Sequence, residues 1–184
     1  MPFTTTDFPG LLIYEPRVFN DDRGYFFESY NENTFSEGGA TMKFVQDNQA
    51  RSVFGVIRGL HFQQNPNAQT KLIRALSGTI LDVVVDLRAG SPTFHRYFSI
   101  ELSAENKKQL LVPRGFAHGY SVLTETAEVI YKCDEFYHKE SEGGLMYNDS
   151  TLGIDWRIPA GKEMVAAKDL VLPNLEDCKT NFIF

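Results

Sequence analysis

Four residues spread between positions 61 and 169 carry complementary acid–base chemistry: His61, Lys71, Tyr131 and Asp169. His61 is the one side chain on its stretch able to exchange a proton near neutral pH. Tyr131 can supply or accept a proton from another direction. Lys71 is a fixed cation suited to an oxyanion. Asp169 can accept from the imidazole N–H and hold the ring, as the carboxylate of a hydrolytic triad does. The set suits abstraction of a proton beside a carbonyl, with the enolate held by the cation. No Ser or Cys nucleophile stands out, and Gly-x-Ser-x-Gly is absent. Taken alone, His61 reads as a hydrogen-bonded core histidine; the case for chemistry rests on the set.

Metal chemistry is the alternative. Pro113-Arg-Gly-Phe-Ala-His118 resembles the second conserved box of cupins, a jelly-roll superfamily that often binds metal. Those proteins pair it with a His-x-His and a Glu, whereas here His61 is followed by Phe62 and Gln63. Two histidines without a close carboxylate make a poor ligand set. Neither a metal nor a cofactor is expected.

Gly55 to Leu76 reads as two strands joined by a polar loop, Gln64 to Thr70. Alternation puts Lys71, Ile73 and Ala75 on one face. Arg58 and His61 have opposite parity in an ideal strand, so they share a ligand only if the chain bulges, which Gly59 permits. Ser77-Gly78 is a hairpin signal, and Thr79 to Leu87 predicts a strand buried on both faces. Phe116, His118, Tyr120 and Val122 fall on one face, as do Val129, Tyr131 and Cys133. Residues 11–19 read as a first strand, Asn20 to Gly24 as a turn, Tyr25 to Tyr30 as a second strand, and Glu32 to Glu37 as a short helix stopped by Gly38-Gly39. The polar run from Gln46 through Ser52 has the composition of a loop and is kept as a set of candidate ligand contacts. About ten short strands with minor helices predict an all-β, double-stranded jelly-roll sandwich, cupin-like, forming one domain over residues 1–184.

The chain is 42% hydrophobic and 23% charged, an ordinary globular composition; its 15 Phe and 8 Tyr favour strands. A net charge of −6 without a basic patch argues against nucleic acid. Cys133 and Cys178 offer neither a disulfide framework nor zinc-ligand spacing. No stretch approaches the roughly 18 apolar residues of a membrane span, and the first residues lack a secretory leader pattern. A cytoplasmic location is expected.

Gly55-Val-Ile-Arg-Gly-Leu-His-Phe-Gln, Lys71-Leu-Ile-Arg, Asp82-Val-Val-Val-Asp-Leu-Arg-x-x-Ser-Pro-Thr-Phe and Val112-Pro-Arg-Gly-Phe-Ala-His-Gly-Tyr occur in this order. The chain thereby resembles the dTDP-4-dehydrorhamnose 3,5-epimerase family, from Phe8-Pro-Gly to Lys168-Asp169-Leu. The resemblance implies a cofactor-independent, homodimeric isomerase that converts dTDP-4-dehydro-6-deoxy-D-glucose to dTDP-4-dehydro-L-rhamnose. It implies His61 as base, paired with Asp169, Tyr131 as acid on the opposite face, and Lys71 at the C4 oxygen. It further implies that Arg23 and Glu28 contact the nucleotide, with Gln46, Asp47 and Asn48 as a polar ligand segment. Arg58 is implied as a diphosphate or sugar contact, His118 as a ligand contact, Tyr137 as the aromatic on thymine, and Glu142 and Lys168 as remaining contacts. The family often has Ser two residues before the Lys-Asp pair; this chain has Ala166. A 3-epimerase, a 5-epimerase or a ketoisomerase on the same fold shares these residues. A non-catalytic nucleotide-sugar binding module would need the Arg and Lys contacts without an intact acid–base set.

Overall fold

The computed structural model describes residues 2–184. In chain order its elements are β1 (Phe3–Thr5), β2 (Leu12–Tyr14), β3 (Phe19–Asp21), β4 (Gly24–Phe26), the helix α1 (Glu32–Glu37), β5 (Gln46–Val53), β6 (Val56–Gln63), β7 (Lys71–Ser77), β8 (Thr79–Asp86), β9 (Tyr97–Ser103), β10 (Gln109–Val112), β11 (Phe116–Val122), β12 (Thr126–Cys133), β13 (Glu142–Gly144) and β14 (Met164–Val165). Short single turns of helix begin at Lys139, Asp169 and Leu175. One sheet runs β1-β2-β10-β7-β12-β5 and faces a second, β13-β6-β11-β8-β9, with β14 added in parallel to β6. The other named pairings are antiparallel. This is the all-β sandwich expected from the alternating strands.

Apolar residues from both inner faces meet between the sheets: Ile73, Ala127 and Val129 from one, Ile80, Val84, Phe116 and Val122 from the other. The outer faces are covered in part as well, and the cover over the second sheet is why β8 is buried on both sides. Leu81, Val83 and Val85 lie under Trp156, Leu175 and Phe182 of the C-terminal segment. Leu72 and Leu111, on the outside of the first sheet, lie under Phe35 of α1 with Tyr14 and Phe3. Asn31 caps that helix, its side-chain oxygen accepting from the backbone N–H groups of Asn33 and Thr34.

Three local expectations need correction. Ser77-Gly78 is not a hairpin: β7 and β8 belong to different sheets, and the chain turns a corner there. Gly78, at φ +66°, packs against the carbonyl of Thr126 where a Cβ would collide, so the glycine serves a close approach. The stretch 11–19 is broken around Pro16 into β2 and β3, because proline cannot extend the ladder. The polar run at 46–53 is an edge strand, β5, paired with β12. It reads as a loop because its inner face borders a cavity instead of the apolar core.

The bulge on β6 fixes the geometry of the site. His118 pairs with His61, yet Tyr120, two residues on, pairs with Arg58, three residues back. The extra residue is Gly59, at φ +114°. A Cβ there would stand 2.7 Å from both Gly119 Cα and His118 O. Gly59→Ala is therefore expected to lower unfolding stability by roughly 2–4 kcal/mol, from backbone strain plus overpacking. An unchanged denaturant midpoint would show that the two strands can separate there without cost.

Candidate active site

Between the sheets, at the end away from the apolar core, opens a cavity of about 600 Å3. The expected residues Gln46, Asn48, Arg58, His61, Lys71, His118, Tyr131, Tyr137, Glu142, Lys168 and Asp169 all line it. They arrive by strand alternation: Gln46 and Asn48 from β5, Lys71 from β7 and Tyr131 from β12 on one sheet, Arg58 and His61 from β6 and His118 from β11 on the other. His61 and Tyr131 thus approach from opposite walls. The bulge at Gly59 brings Arg58 and His61 onto the same face.

His61 Nε2 lies 2.8 Å from Asp169 Oδ1. The other carboxylate oxygen accepts from the Gly59 N–H at 3.4 Å, so the bulge also holds the aspartate. In the tautomer whose Nε2–H donates a hydrogen bond to the Asp169 carboxylate, the ring presents the Nδ1 lone pair. Burial pushes the imidazole pKa below its ordinary value, against the opposing pull of Asp169. The ring is then neutral at neutral pH, the state a base requires. Tyr131 is shifted upward by burial first, then by Cys133 and Tyr120, while Arg58 pulls it down. It therefore holds its proton at neutral pH, the state an acid requires. Burial lowers the Lys71 pKa, with Cys133, Asp82 and Glu142 acting in the other direction. No carboxylate forms an ion pair with Lys71 among the described residues. A weakly solvated ammonium of this kind is primed to meet an anionic ligand oxygen.

His118 is 7% exposed, and its Nε2 sits 3.0 Å from each oxygen of the fully buried Asp82. At the mouth, Glu142 accepts from Tyr137 Oη at 2.8 Å and from Lys168 Nζ at 3.3 Å. Burial raises the Glu142 pKa, but these two hydrogen bonds outweigh it and hold the carboxyl below its usual value.

Three expected contacts stand elsewhere. Asp47 points out of β5 and pairs with Lys132 Nζ at 3.1 Å, because its neighbours Gln46 and Asn48 take the inward positions. Arg23 sits at the tip of the β3–β4 hairpin, bound to Asp21. Glu28 follows β4 and accepts from Asn31 Nδ2 at 3.1 Å. Phe27 and Tyr30 flank it and pack on Arg74 and Lys132, whose side chains leave the outer face of the first sheet. Arg23 and Glu28 thus belong to the side opposite this chain's cavity.

Sequence reasoning missed Gln63 and Tyr120 as lining residues. Gln63 Nε2 donates to the carbonyls of Asn67 and Phe136, and its Oε1 accepts from the His138 N–H at 2.6 Å. It thereby pins the loop that carries Tyr137. Its place at the end of the His-Phe-Gln stretch was the available signal. For Tyr120 the signal was its alternation with His118. Among the described residues no cluster of three or more His, Cys, Asp or Glu has metal-binding geometry. Among the same residues no helix is long and apolar enough to cross a membrane.

The family pattern described as dTDP-4-dehydrorhamnose 3,5-epimerase matches residues 5–177. A relative of that name from Pseudomonas aeruginosa is 52% identical over 157 residues, 85% of this chain and 86% of its own. A crystal structure of a dTDP-4-dehydrorhamnose 3,5-epimerase from Elizabethkingia anophelis superposes with a TM-score of 0.91 at 51% identity, covering 95% of this chain and 96% of the other. A dTDP-6-deoxy-D-glucose-3,5-epimerase from Legionella pneumophila, solved in complex with dTDP-4-keto-L-rhamnose, also reaches 0.91, at 42% identity with 96% and 94% covered.

Proposed function

The chain belongs to the dTDP-4-dehydrorhamnose 3,5-epimerase family, and on that premise we propose how its cavity performs the isomerisation. The reaction converts dTDP-4-dehydro-6-deoxy-D-glucose to dTDP-4-dehydro-L-rhamnose. The observation that carries the assignment of roles is the placement of His61, tied to Asp169 at 2.8 Å, on the wall facing Tyr131.

A proton beside the C4 ketone is weakly acidic, so charge must be stabilised as it leaves. His61 Nδ1 takes the proton, and Asp169 steadies the resulting imidazolium. Lys71 Nζ meets the enolate oxygen. Tyr131 returns a proton to the carbon from the opposite wall, which inverts the centre. The sequence occurs at C3 and at C5. His118, fixed by Asp82, holds a sugar oxygen. Gln46, Asn48, Arg58, Glu142 and Lys168 bind the nucleotide and its diphosphate, with Tyr137 on the thymine. Binding energy gathered there, away from the reacting carbons, serves to orient the ring. Incubation with the 4-keto sugar in D2O, followed by NMR, tests the scheme: both C3 and C5 should acquire deuterium and invert. Label at a single carbon would replace this reading with that of a single-site epimerase.

Arg23 and Glu28 cannot serve the cavity of their own chain, so we assign them to that of a second copy in a homodimer. The exposed Phe19, Tyr25 and Phe26 of the same hairpin support this, since a solvent-facing aromatic cluster suits an interface. Light scattering should give about twice the monomer mass of 20.9 kDa. Arg23→Ala should weaken dTDP binding roughly tenfold or more, with turnover per bound substrate nearly intact. A monomer at micromolar concentration would end this assignment. With both cysteines free, the reducing cytoplasm is the compartment we propose.

A further inference from the structure

The phenol oxygen of Tyr120 is the buried side-chain polar atom that, among the described residues, has no hydrogen-bond partner. Burying a hydroxyl unpaired is destabilising, and a phenylalanine would fill the same space without that cost. The residue is 4% exposed and stands on β11 with its ring toward the cavity. Ser52 Oγ, which accepts from Arg58 Nε at 3.0 Å, lies beside it outside hydrogen-bond geometry. From the facing sheet Tyr131 packs against the apolar cluster that contains Tyr120. Arg58 influences both phenols.

We propose that the Tyr120 hydroxyl donates a hydrogen bond to the Tyr131 oxygen while that oxygen is a phenolate. The inference rests on the role of Tyr131 as the acid. As the new C–H bond forms, the Tyr131 O–H bond breaks and its electron pair stays on the oxygen. Arg58 and the Tyr120 O–H then share that charge. Tyr131 recovers a proton from solvent before the next inversion, His61 releases to solvent the one it took, and Tyr120 keeps its own throughout. A donor whose partner is charged only during reaction favours the transition state over the bound substrate. Two inversions per substrate double the demand for it. Tyr120 is thus a positioning residue acting through Tyr131.

The test compares wild type, Tyr120→Phe, Tyr131→Phe and the double variant with the 4-keto sugar in D2O, reading inversion and exchange by NMR and melting temperature in parallel. Tyr120→Phe should slow inversion about tenfold, the loss of one charge-assisted hydrogen bond, with KM unchanged and exchange on the His61 side retained. Its melting temperature should stay level or rise. Added to Tyr131→Phe, it should cost nothing further. Normal inversion in Tyr120→Phe overturns the proposal. So does a raised KM with losses that multiply in the double variant, which marks a substrate contact, and so does a fall in melting temperature that tracks the lost activity. If Tyr131→Phe alone inverts normally, the assignment of the acid fails. If only Tyr120→Phe is normal, that assignment stands and this inference alone is lost.

Discussion

His61→Asn should abolish solvent deuterium entry at C3 and C5 alike, lowering turnover by about a thousandfold or more while the nucleotide still binds. One base would serve both carbons because, of the two imidazoles on that wall, only His61 is oriented by Asp169, while His118 is held by Asp82. Tyr131→Phe behaves differently. His61 would still remove and return a proton on its own side, so this variant should exchange deuterium with little inversion. Exchange needs only the base; inversion needs both walls. In the wild type, the acid limb of turnover should fall below the ordinary histidine pKa of 6.5, since burial depresses His61 and the protonated ring cannot act as base. If both residues merely filled the core, His61→Asn would lower the melting temperature and Tyr131→Phe would stay active. Full epimerisation by His61→Asn would remove the catalytic assignment outright.

The second large effect is expected of Lys71→Ala. Its ammonium lines the cavity without a carboxylate partner among the described residues, so its charge should matter most when the enolate forms. Loss of such a donor corresponds to roughly 3–4 kcal/mol of barrier, or about two to three orders of magnitude in kcat. Affinity for dTDP should change only a few-fold. Equal losses in affinity and in rate per bound substrate would instead make Lys71 a phosphate clamp.

Where a strand has one buried face, the sequence exposed the site directly. Period-two alternation put Lys71 on a face with Ile73, His118 with Phe116 and Tyr131 with Val129; those apolar partners lie between the sheets, and all three polar residues line the cavity. The parity conflict between Arg58 and His61 even pointed to the bulge at Gly59. Alternation could not reveal which sheet a strand joins, so Ser77-Gly78 passed for a hairpin. It also treats a polar inner face as a loop, because the pattern assumes that inward means apolar; β5, whose inward residues border the cavity, defeats that assumption. The resemblance implied Asp47 together with Gln46 and Asn48, although adjacent strand residues face opposite ways. Long-range partners, such as Asp82 for His118 and Gln63 for the Tyr137 loop, depend on register between distant segments. Nothing local encodes them.

Because the proposed base, His61, and the proposed acid, Tyr131, stand on different sheets, the gap between them is set by the thickness of the sandwich. Facing sheets stack about 10 Å apart, and the spacing is maintained by interdigitated side chains such as Ile73 and Val84, well away from the sugar. The apolar core thus works as a caliper. Bulkier core residues would widen its jaws, leaving His61 in reach of its proton while Tyr131 loses contact with the far face. Stereochemical outcome would then drift toward simple exchange through substitutions that touch no ligand at all.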